Sequence, residues 1–236
     1  MNKIELRPIK NQDNYFIKEA YKTLRTNLLF SGTDVKVIAV TSCIMHEGKS
    51  TVSVALATSL SELGKRVLLI DADLRKSVLA SRAEGVIQKG LSAYLSGQAE
   101  EEDVIYKTQY EGLDVIFSGQ FPPNPVELLD SDVMRELLSH MRELYDYVVI
   151  DMPPLGMVVD CAVVAPVCDG TVLVLKADEA RKHSTREILA NLRSKNCVVL
   201  GAVLNHADAP KSFRERVSDL FHRFYARFFK KKIKKH

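Results

Sequence analysis

The feature that most constrains the fold is an apolar strand pattern that leads directly into a Gly-Lys-Ser turn. Residues 35–42 are mostly apolar and β-branched, and the turn after them ends in Gly48, Lys49 and Ser50. A glycine lets backbone N–H groups approach a phosphate closely, while the lysine supplies positive charge and the serine hydroxyl can bind Mg²⁺. A helix-like apolar run, residues 52–63, follows. The pattern therefore predicts a phosphate-binding loop between a buried strand and a helix.

The loop motif itself is incomplete. Cys43 occupies the position of the usual first glycine, and His46 stands where a second glycine is common. Gly-Lys-Ser alone is a weak signal, because an ordinary strand-to-helix connection can carry it by chance. The strand pattern before the turn and the helix pattern after it favour phosphate binding. Glu47 then belongs to the loop, and Thr51 opens the helix.

Two further apolar runs end in acidic residues. Residues 67–70 lead into Asp71 and Asp73, and residues 148–150 lead into Asp151. Short continuous apolar runs are typical of strands in a parallel sheet, where ligands bind beyond the carboxyl ends of the strands. We therefore expect the three carboxylates to lie near the loop, where they could hold Mg²⁺ or accept a proton from an attacking hydroxyl. Each aspartate alone could equally cap a turn.

The composition is that of one compact α/β domain. The 236 residues are 46% hydrophobic, enough for a well-buried core, and no apolar run reaches the roughly 20 residues of a membrane helix. The four cysteines lack metal-ligand spacing, and the N-terminus lacks the apolar core of a signal peptide. We therefore expect a cytoplasmic protein.

Strand and helix patterns alternate along the chain. Besides the elements already named, helices are predicted at 14–30, 91–96, 126–129, 131–144, 159–167 and 184–194, and strands at 113–117, 171–175 and 198–204, whereas residues 1–13 look irregular. Such alternation implies right-handed crossovers and a doubly wound, mostly parallel sheet flanked by helices.

The positive charge of the chain is concentrated at its C-terminus. The net charge is +3, and five lysines lie within residues 230–235, so residues 1–229 carry +3 − 5 = −2. Residues 212–229 place aromatic side chains at helical spacing among arginines. We therefore expect a domain at 1–211 and a basic amphipathic helix and tail at 212–236. The helix could dock on the domain, while its lysine-rich end would suit an anionic membrane surface better than nucleic acid.

Taken together, these segments resemble the bacterial tyrosine kinases of the capsule and exopolysaccharide type, in the form whose cytoplasmic kinase domain is a separate polypeptide. That family belongs to the deviant P-loop ATPases. The resemblance runs from about residue 19 to residue 205. It is carried by residues 19–27, 47–51, 69–76, 122–129 and 146–154.

The resemblance implies an ATP-dependent protein-tyrosine autokinase that regulates polysaccharide synthesis and uses Mg²⁺. Asp71 would accept the proton of the tyrosine hydroxyl, and Lys49 would assist the transfer. The implied nucleotide contacts are Glu47, Gly48, Lys49, Ser50, Thr51 and Asn205. The implied Mg²⁺ ligands are Ser50, Asp73 and Asp151.

The resemblance also implies partners. Glu19, Lys22 and Arg25 lie on neighbouring turns of the first predicted helix, and they would contact a second subunit in a homo-oligomeric ring. From these residues alone, a solvated face with internal ion pairs is the simpler interpretation. A transmembrane adaptor of polysaccharide export would activate the kinase and recruit it to the inner face of the plasma membrane.

Three departures from the family pattern stand out. Lys22 replaces the first arginine of the ring face, and His46 replaces a loop glycine. The expected cluster of C-terminal tyrosines is absent, which leaves Tyr225 as the possible phosphosite in that region. The substrate, the number of subunits and the adaptor are not encoded in any of these segments.

Two other functions are compatible with the same motifs. A membrane-associated switch ATPase of the septum-positioning or partitioning type would explain the basic C-terminus. The missing additional loop lysine and the run at residues 122–129 oppose that interpretation. A non-catalytic, ATP-binding scaffold of polysaccharide export would explain the altered tail, but it would have no need of all three carboxylates.

Overall fold

The computed structural model describes residues 2–9, 14–155, 163–177 and 182–207, and it describes the side chains of the last range from residue 188 onward. The predicted tail at 212–236 with Tyr225, the boundary at residue 211 and residues 159–162 of the helix predicted at 159–167 lie outside these residues. Within the described part of the chain, no helix is long and apolar enough to cross a membrane.

Strands and helices alternate as the sequence predicts. The strands are β1 (Asn2–Lys3), β2 (Glu5–Leu6), β3 (Val37–Ser42), β4 (Val67–Asp71), β5 (Ala83–Glu84), β6 (Ile105–Lys107), β7 (Leu113–Ile116), β8 (Tyr147–Asp151), β9 (Gly170–Lys176) and β10 (Val199–Asn205). The helices are α1 (Tyr15–Leu29), α2 (Lys49–Ser61), α3 (Leu91–Leu95), α4 (Glu101–Val104), α5 (Pro125–Leu129), α6 (Asp132–Leu144) and α7 (Lys182–Ser194), with short 3-10 turns at Ala80–Arg82 and Ala165–Val167.

One eight-stranded sheet organises the fold. Its strand order is β1-β6-β7-β4-β8-β3-β9-β10, and every neighbouring pair is parallel except β6 and β7. β2 and β5 form a separate antiparallel pair. The mostly parallel sheet confirms the predicted fold class, and the inner position of β4, β8 and β3 places their carboxyl ends side by side.

The inner strands are buried on both faces, because successive residues of a strand point to opposite sides. In β4, Leu68 and Ile70 pack in one apolar cluster, while Val67 and Leu69 pack in another. Helix α6 contributes to the first cluster and α2 to the second. Helices therefore cover both faces, which explains why these strands read as uninterrupted apolar runs.

Residues 1–13 are not wholly irregular, so that prediction was wrong. β1 pairs with β6 and β2 pairs with β5, and Ile4, Leu6 and Ile9 are buried. The Gln109 side chain accepts a hydrogen bond from Leu6 N and donates one to Leu6 O. These pairings join segments roughly 80 to 100 residues apart in the chain, so no local sequence pattern predicts them.

At the edge opposite the carboxyl ends, Asp169 fixes the start of β3. Its Oδ2 accepts hydrogen bonds from Lys36 N (2.9 Å) and Val37 N (2.8 Å), and its Oδ1 accepts one from Arg142 Nη2 (2.7 Å). Partial burial raises the pKa of this carboxyl, but the bonds from Arg142 and the two amides outweigh burial and hold the pKa below its usual value. The ionised side chain therefore stabilises the fold.

Asp169→Ala is expected to lower the free energy of unfolding by about 1–3 kcal/mol, because two backbone N–H groups lose a charged acceptor. Since the folded-state pKa is depressed, the stabilisation is present above the unfolded pKa of about 4 and disappears as pH falls through the folded value. Urea unfolding at neutral pH and at about pH 3 measures both effects. The exposed Glu111→Ala serves as control, and equal stability of the two variants at neutral pH would contradict the expectation.

Candidate functional site

The sheet brings two of the three predicted carboxylates into direct register. Asp71 ends β4 and Asp151 ends β8, and the two residues are paired across the parallel strands. Asp73 follows two residues after β4, and the side chains of all three aspartates are almost fully buried. Ionisable groups are rarely buried without a charged partner, so this cluster requires a compensating cation.

Lys49, the first residue of α2, is that cation. Its Nζ lies 3.0 Å from Asp73 Oδ2 and 3.8 Å from Asp151 Oδ1. Burial alone would lower the pKa of Lys49, but the carboxylates of Asp151 and Asp73 raise it above its usual value. The lysine therefore remains protonated between the ends of two strands, and the structure brings Lys49 together with Asp71, Asp73 and Asp151 as the sequence predicts.

The titration of Asp71 is shifted toward neutral pH. Burial and the nearby Asp151 raise the pKa of Asp71 to about 7, although a hydrogen bond from Ser77 opposes the rise. Burial also raises the pKa of Asp151, against the effects of Lys49 and of hydrogen bonds from Ser50 and Ser53. A carboxyl with a pKa near neutrality can take up a proton and release it again at physiological pH.

Ser77 is a residue that the sequence analysis missed. Its hydroxyl donates a hydrogen bond to Asp71 Oδ2 and accepts one from Ala80 N (2.9 Å). Asp71 Oδ1 accepts a further bond from Asp73 N (3.2 Å). Both oxygens of Asp71 are therefore held in place. No local motif predicts this role, because it depends on how the segment after β4 folds back onto Asp71.

The loop between β3 and α2, which is predicted to bind phosphate, is held by Glu47. This side chain is buried, and its carboxylate accepts hydrogen bonds from Cys43 N (2.6 Å), Ile44 N (2.9 Å) and Lys176 N (3.2 Å). Asn205, the last residue of β10, donates from Nδ2 to the Glu47 carbonyl oxygen (2.9 Å). The Glu47 carboxylate thus bonds to the backbone of its own loop and of β9. The structure therefore gives Glu47 a role in holding the loop, whereas the resemblance implies a nucleotide contact.

Two residues of the loop adopt left-handed backbone conformations. Gly48 has φ of 88°, and a Cβ added there would lie 2.1 Å from Asn205 Nδ2. His46 has φ of 66°, which is uncommon for a residue with a side chain. The departure from glycine at His46 is therefore accommodated by an exposed left-handed turn, whereas Gly48 is required both by its φ and by the close approach of Asn205.

Glu47→Ala is expected to reduce the free energy of unfolding by about 1–3 kcal/mol, since it leaves the N–H groups of Cys43 and Ile44 without this acceptor. Glu47→Gln keeps one acceptor oxygen and should lose less. Denaturant unfolding measures the order of the two variants, with the exposed Glu62→Ala as control. If Glu47→Gln loses as much free energy of unfolding as Glu47→Ala, the expectation that hydrogen bonding to the loop amides holds the loop is wrong.

The start of α2 is suited to binding an anion. Among the described side chains, none caps the N-terminus of α2. The first N–H groups of a helix have no partner within the helix and carry partial positive charge. Ser50 is buried and Thr51 half-buried in this first turn, so the turn joins the loop amides and Lys49 as a candidate phosphate site.

The oxygen donors around Lys49 fit a hard divalent cation. Asp151 Oδ2 is buried and has no hydrogen-bond partner within the described residues, while Oδ1 accepts from Ser53 Oγ (3.1 Å). Those residues contain no group of three His, Cys, Asp or Glu side chains arranged as a metal cage. Mg²⁺ does not require such a cage, because it keeps several waters and binds one or two carboxylates together with substrate phosphates.

The residues of the predicted subunit face lie on α1. Lys22 Nζ forms a half-exposed ion pair with Glu19 (2.8 Å). Arg25 instead contacts its own chain, where Nη1 donates to the Ser59 carbonyl oxygen (2.7 Å) and to Ser59 Oγ (3.2 Å). The structure therefore gives Arg25 a role in joining α1 to α2, which the sequence did not suggest.

Comparison with known proteins places the chain among nucleotide-dependent enzymes. A family model described as an AAA domain matches residues 35–196. A tyrosine-protein kinase, CpsD of Streptococcus agalactiae, is 40% identical over 203 residues, which cover 85% of this chain and 86% of that protein.

Two solved structures extend the comparison. The kinase domain of Escherichia coli tyrosine kinase ETK superposes with a TM-score of 0.79 and 34% identity, and the match covers 86% of this chain and 80% of that one. The septum site-determining protein MinD of Pyrococcus horikoshii, in complex with Mg-ADP, has a TM-score of 0.63 and 25% identity, covering 75% of this chain and 72% of that one.

Proposed function

Because this chain belongs to the bacterial tyrosine-protein kinase family, we propose that it transfers the γ-phosphoryl group of ATP to protein tyrosine in capsule or exopolysaccharide production. The observation that carries the proposal is the buried contact of Lys49 with Asp73 and Asp151, beside Asp71 and at the start of α2. Phosphoryl transfer uses a lysine and backbone amides to bind the phosphates, and carboxylates to hold Mg²⁺ and to accept a proton.

Each residue of the cluster has a distinct role in this proposal. The loop amides, the first turn of α2 and Lys49 would bind the β- and γ-phosphates, with Asn205 on the adenine side. Ser50, Asp73 and Asp151 would hold Mg²⁺, which when bound neutralises charge on the phosphates. Lys49 would exchange its contact with Asp73 for phosphate oxygens. The loop is held by Glu47, so little of the binding free energy is spent on ordering it.

Asp71 would act on the incoming tyrosine. The phenolic oxygen attacks the γ-phosphorus, the bond from that phosphorus to the β–γ bridging oxygen breaks, and ADP leaves with the electron pair. Asp71 would accept the phenolic proton, for which its pKa of about 7 is suited. Ser77 would keep the Asp71 carboxylate in position through its hydrogen bond.

The proposal includes three kinds of partner. A transmembrane adaptor of polysaccharide export would activate the kinase and recruit it to the inner face of the plasma membrane. Glu19 and Lys22, which form a half-exposed pair on α1, would belong to the interface of a homo-oligomeric ring, together with Arg25 of the same helix, which is bonded to Ser59 of α2. The basic tail at 212–236 would contact anionic lipid.

The switch-ATPase alternative shares the loop and the carboxylate-bearing strands. The likeness to the ETK kinase domain, with 34% identity and a TM-score of 0.79, exceeds that to MinD, with 25% identity and 0.63. This difference favours the kinase, although both structures share the sheet on which the site is built.

The test uses the full chain with ATP and Mg²⁺, co-expressed with a transmembrane adaptor of polysaccharide export. We expect phosphotyrosine on the protein and on a synthetic Glu/Tyr copolymer. Nucleotide-dependent sedimentation with anionic vesicles, without any phosphotyrosine, would support the switch ATPase instead. ATP binding without phosphotyrosine formation and without nucleotide-dependent sedimentation would support the non-catalytic scaffold.

A further inference from the structure

The tyrosines of this chain differ sharply in accessibility. Seven of the eight lie in the described ranges, and one of these seven, Tyr15, has an exposed ring, with 70% of its surface accessible. The rings that are partly or fully buried are those of Tyr21, Tyr94, Tyr106, Tyr110, Tyr145 and Tyr147. A tyrosine must leave its packing site before a kinase can modify it, so accessibility separates Tyr15 from these six.

Hydrogen bonding and burial further oppose phosphorylation of the buried tyrosines. The Tyr106 hydroxyl donates to Lys89 O, and the Tyr145 hydroxyl donates to Asp114. Burial raises the pKa of Tyr21, Tyr94, Tyr145 and Tyr147, which makes their hydroxyl protons harder to remove. Modifying Tyr106 or Tyr145 would therefore break an internal contact as well as expose an aromatic ring.

Tyr15 lies at the start of a helix whose first turn is lightly packed. The Tyr15 ring meets Phe16 edge-on at 5.9 Å, and Phe16 is itself 57% exposed. Within α1, packing against the core involves Tyr21, Leu24 and the buried Leu28, all of which lie beyond the first turn. Segments with few buried apolar contacts open locally at low cost in free energy.

The geometry of the catalytic cluster requires such a segment. Asp71 is fully buried, so an acceptor hydroxyl must enter a recess to reach a phosphate beside it. A tyrosine in a packed helix or strand would need a large part of the fold to open. Tyr15 requires only the first turn of α1 to open, where the side chain of Asn14 caps Phe16 N.

We propose that Tyr15 is a phosphorylation site of this kinase, an inference that rests on the proposed function. The Tyr15 oxygen bonds to the γ-phosphorus of ATP, the bond to the β–γ bridging oxygen breaks, ADP leaves with the electron pair, and the phenolic proton passes to Asp71. The phosphate then lies near the positive end of the α1 dipole and three residues before Lys18, which stabilises its charge. It also lies four residues before Glu19, on the face that carries the Glu19–Lys22 pair, so it repels Glu19 and changes the charge of that face.

The test is mass-spectrometric mapping of phosphotyrosine on the full chain after incubation with ATP, Mg²⁺ and the co-expressed adaptor. We expect a Tyr15 phosphopeptide in the unmodified protein and none in Lys49→Met. Tyr15→Phe should lose this phosphopeptide and still phosphorylate the Glu/Tyr copolymer at an unchanged rate. Tyr21→Phe, altered on the same helix at a half-buried position, should keep the phosphopeptide.

Two contrary results are distinguishable. If the copolymer is phosphorylated while phosphate on the chain is confined to Tyr225 or to other tyrosines, the Tyr15 proposal is overturned and the kinase function stands. If neither the chain nor the copolymer receives phosphate, the proposed function fails and the Tyr15 proposal fails with it.

Discussion

Lys49→Met is expected to reduce phosphotyrosine formation by roughly 10²–10³-fold or more, to the background of the assay. Lys49 is buried against Asp73 and Asp151, where it would meet the transferred phosphoryl group. In such a site a fixed positive charge acts with little screening by water. Methionine has a similar length and fills the same space, so the variant removes the charge and leaves the packing nearly intact. The measurement is phosphotyrosine on the copolymer at saturating ATP.

The same variant should also be less stable without added nucleotide, by about 3–5 kcal/mol, because two buried carboxylates lose their counter-ion. Lys49 lowers the pKa of Asp151 against the effect of burial, so its loss raises that pKa further, and the protonated carboxyl supports the fold at low pH. That support disappears as pH rises through the raised pKa. The stability deficit should therefore be larger at about pH 8 than at about pH 5.5.

A double variant separates the two effects of Lys49. Lys49→Met combined with Asp73→Asn should recover much of the stability and none of the activity. Near-normal phosphotyrosine formation in either variant would show that Lys49 is not part of the phosphoryl-transfer site.

Asp71→Asn is expected to lower the rate of phosphotyrosine formation by about 10²–10⁴-fold, because the proton acceptor is lost. It should at the same time raise the melting temperature at about pH 8 by a few degrees, corresponding to about 1–2 kcal/mol. Burial and the nearby Asp151 raise the pKa of Asp71 to about 7, so its ionisation near pH 8 opposes folding. Asparagine has a similar shape and no charge to bury.

The pH dependence gives this prediction a second readout. Since the folded-state pKa of Asp71 exceeds the unfolded value of about 4, its contribution to stability is complete below pH 4 and lost as pH rises through about 7. In Asp71→Asn, the melting temperature should therefore change less between about pH 5.5 and about pH 8 than it does in the unmodified protein.

Asp73→Asn is the matched control for Asp71→Asn. It removes the partner of Lys49 and should lower the melting temperature. If Asp71→Asn is less stable than the unmodified protein at about pH 8, ionisation of Asp71 does not oppose folding.

The inner strands and their acidic ends were predictable because each strand is a continuous apolar run in the sequence. β3, β4 and β8 are continuous apolar runs, and the parallel arrangement that follows from alternating elements brings Asp71 and Asp151 to one edge. Lys49 could be placed beside them because the loop joins a strand to a helix.

The missed features depend on contacts between distant segments. β1 and β2 are two residues long, and their partners β6 and β5 lie far away in sequence. Neither the Ser77 bond to Asp71 nor the Arg25 bond to Ser59 follows from local spacing. Glu47 was placed in the loop, but its use as an acceptor for loop amides depends on a backbone shape that only the folded chain defines.

The contact of Lys49 with Asp73 and Asp151 has a thermodynamic consequence for ligand entry. A cation held by the two carboxylates competes with Lys49, and a triphosphate competes with the carboxylates for Lys49. Each ligand therefore releases the group that the other needs, and by reciprocity each raises the affinity for the other to the same degree. The metal and the triphosphate should accordingly bind with positive cooperativity. Either ligand alone must break the contacts that Lys49 already forms with the two carboxylates.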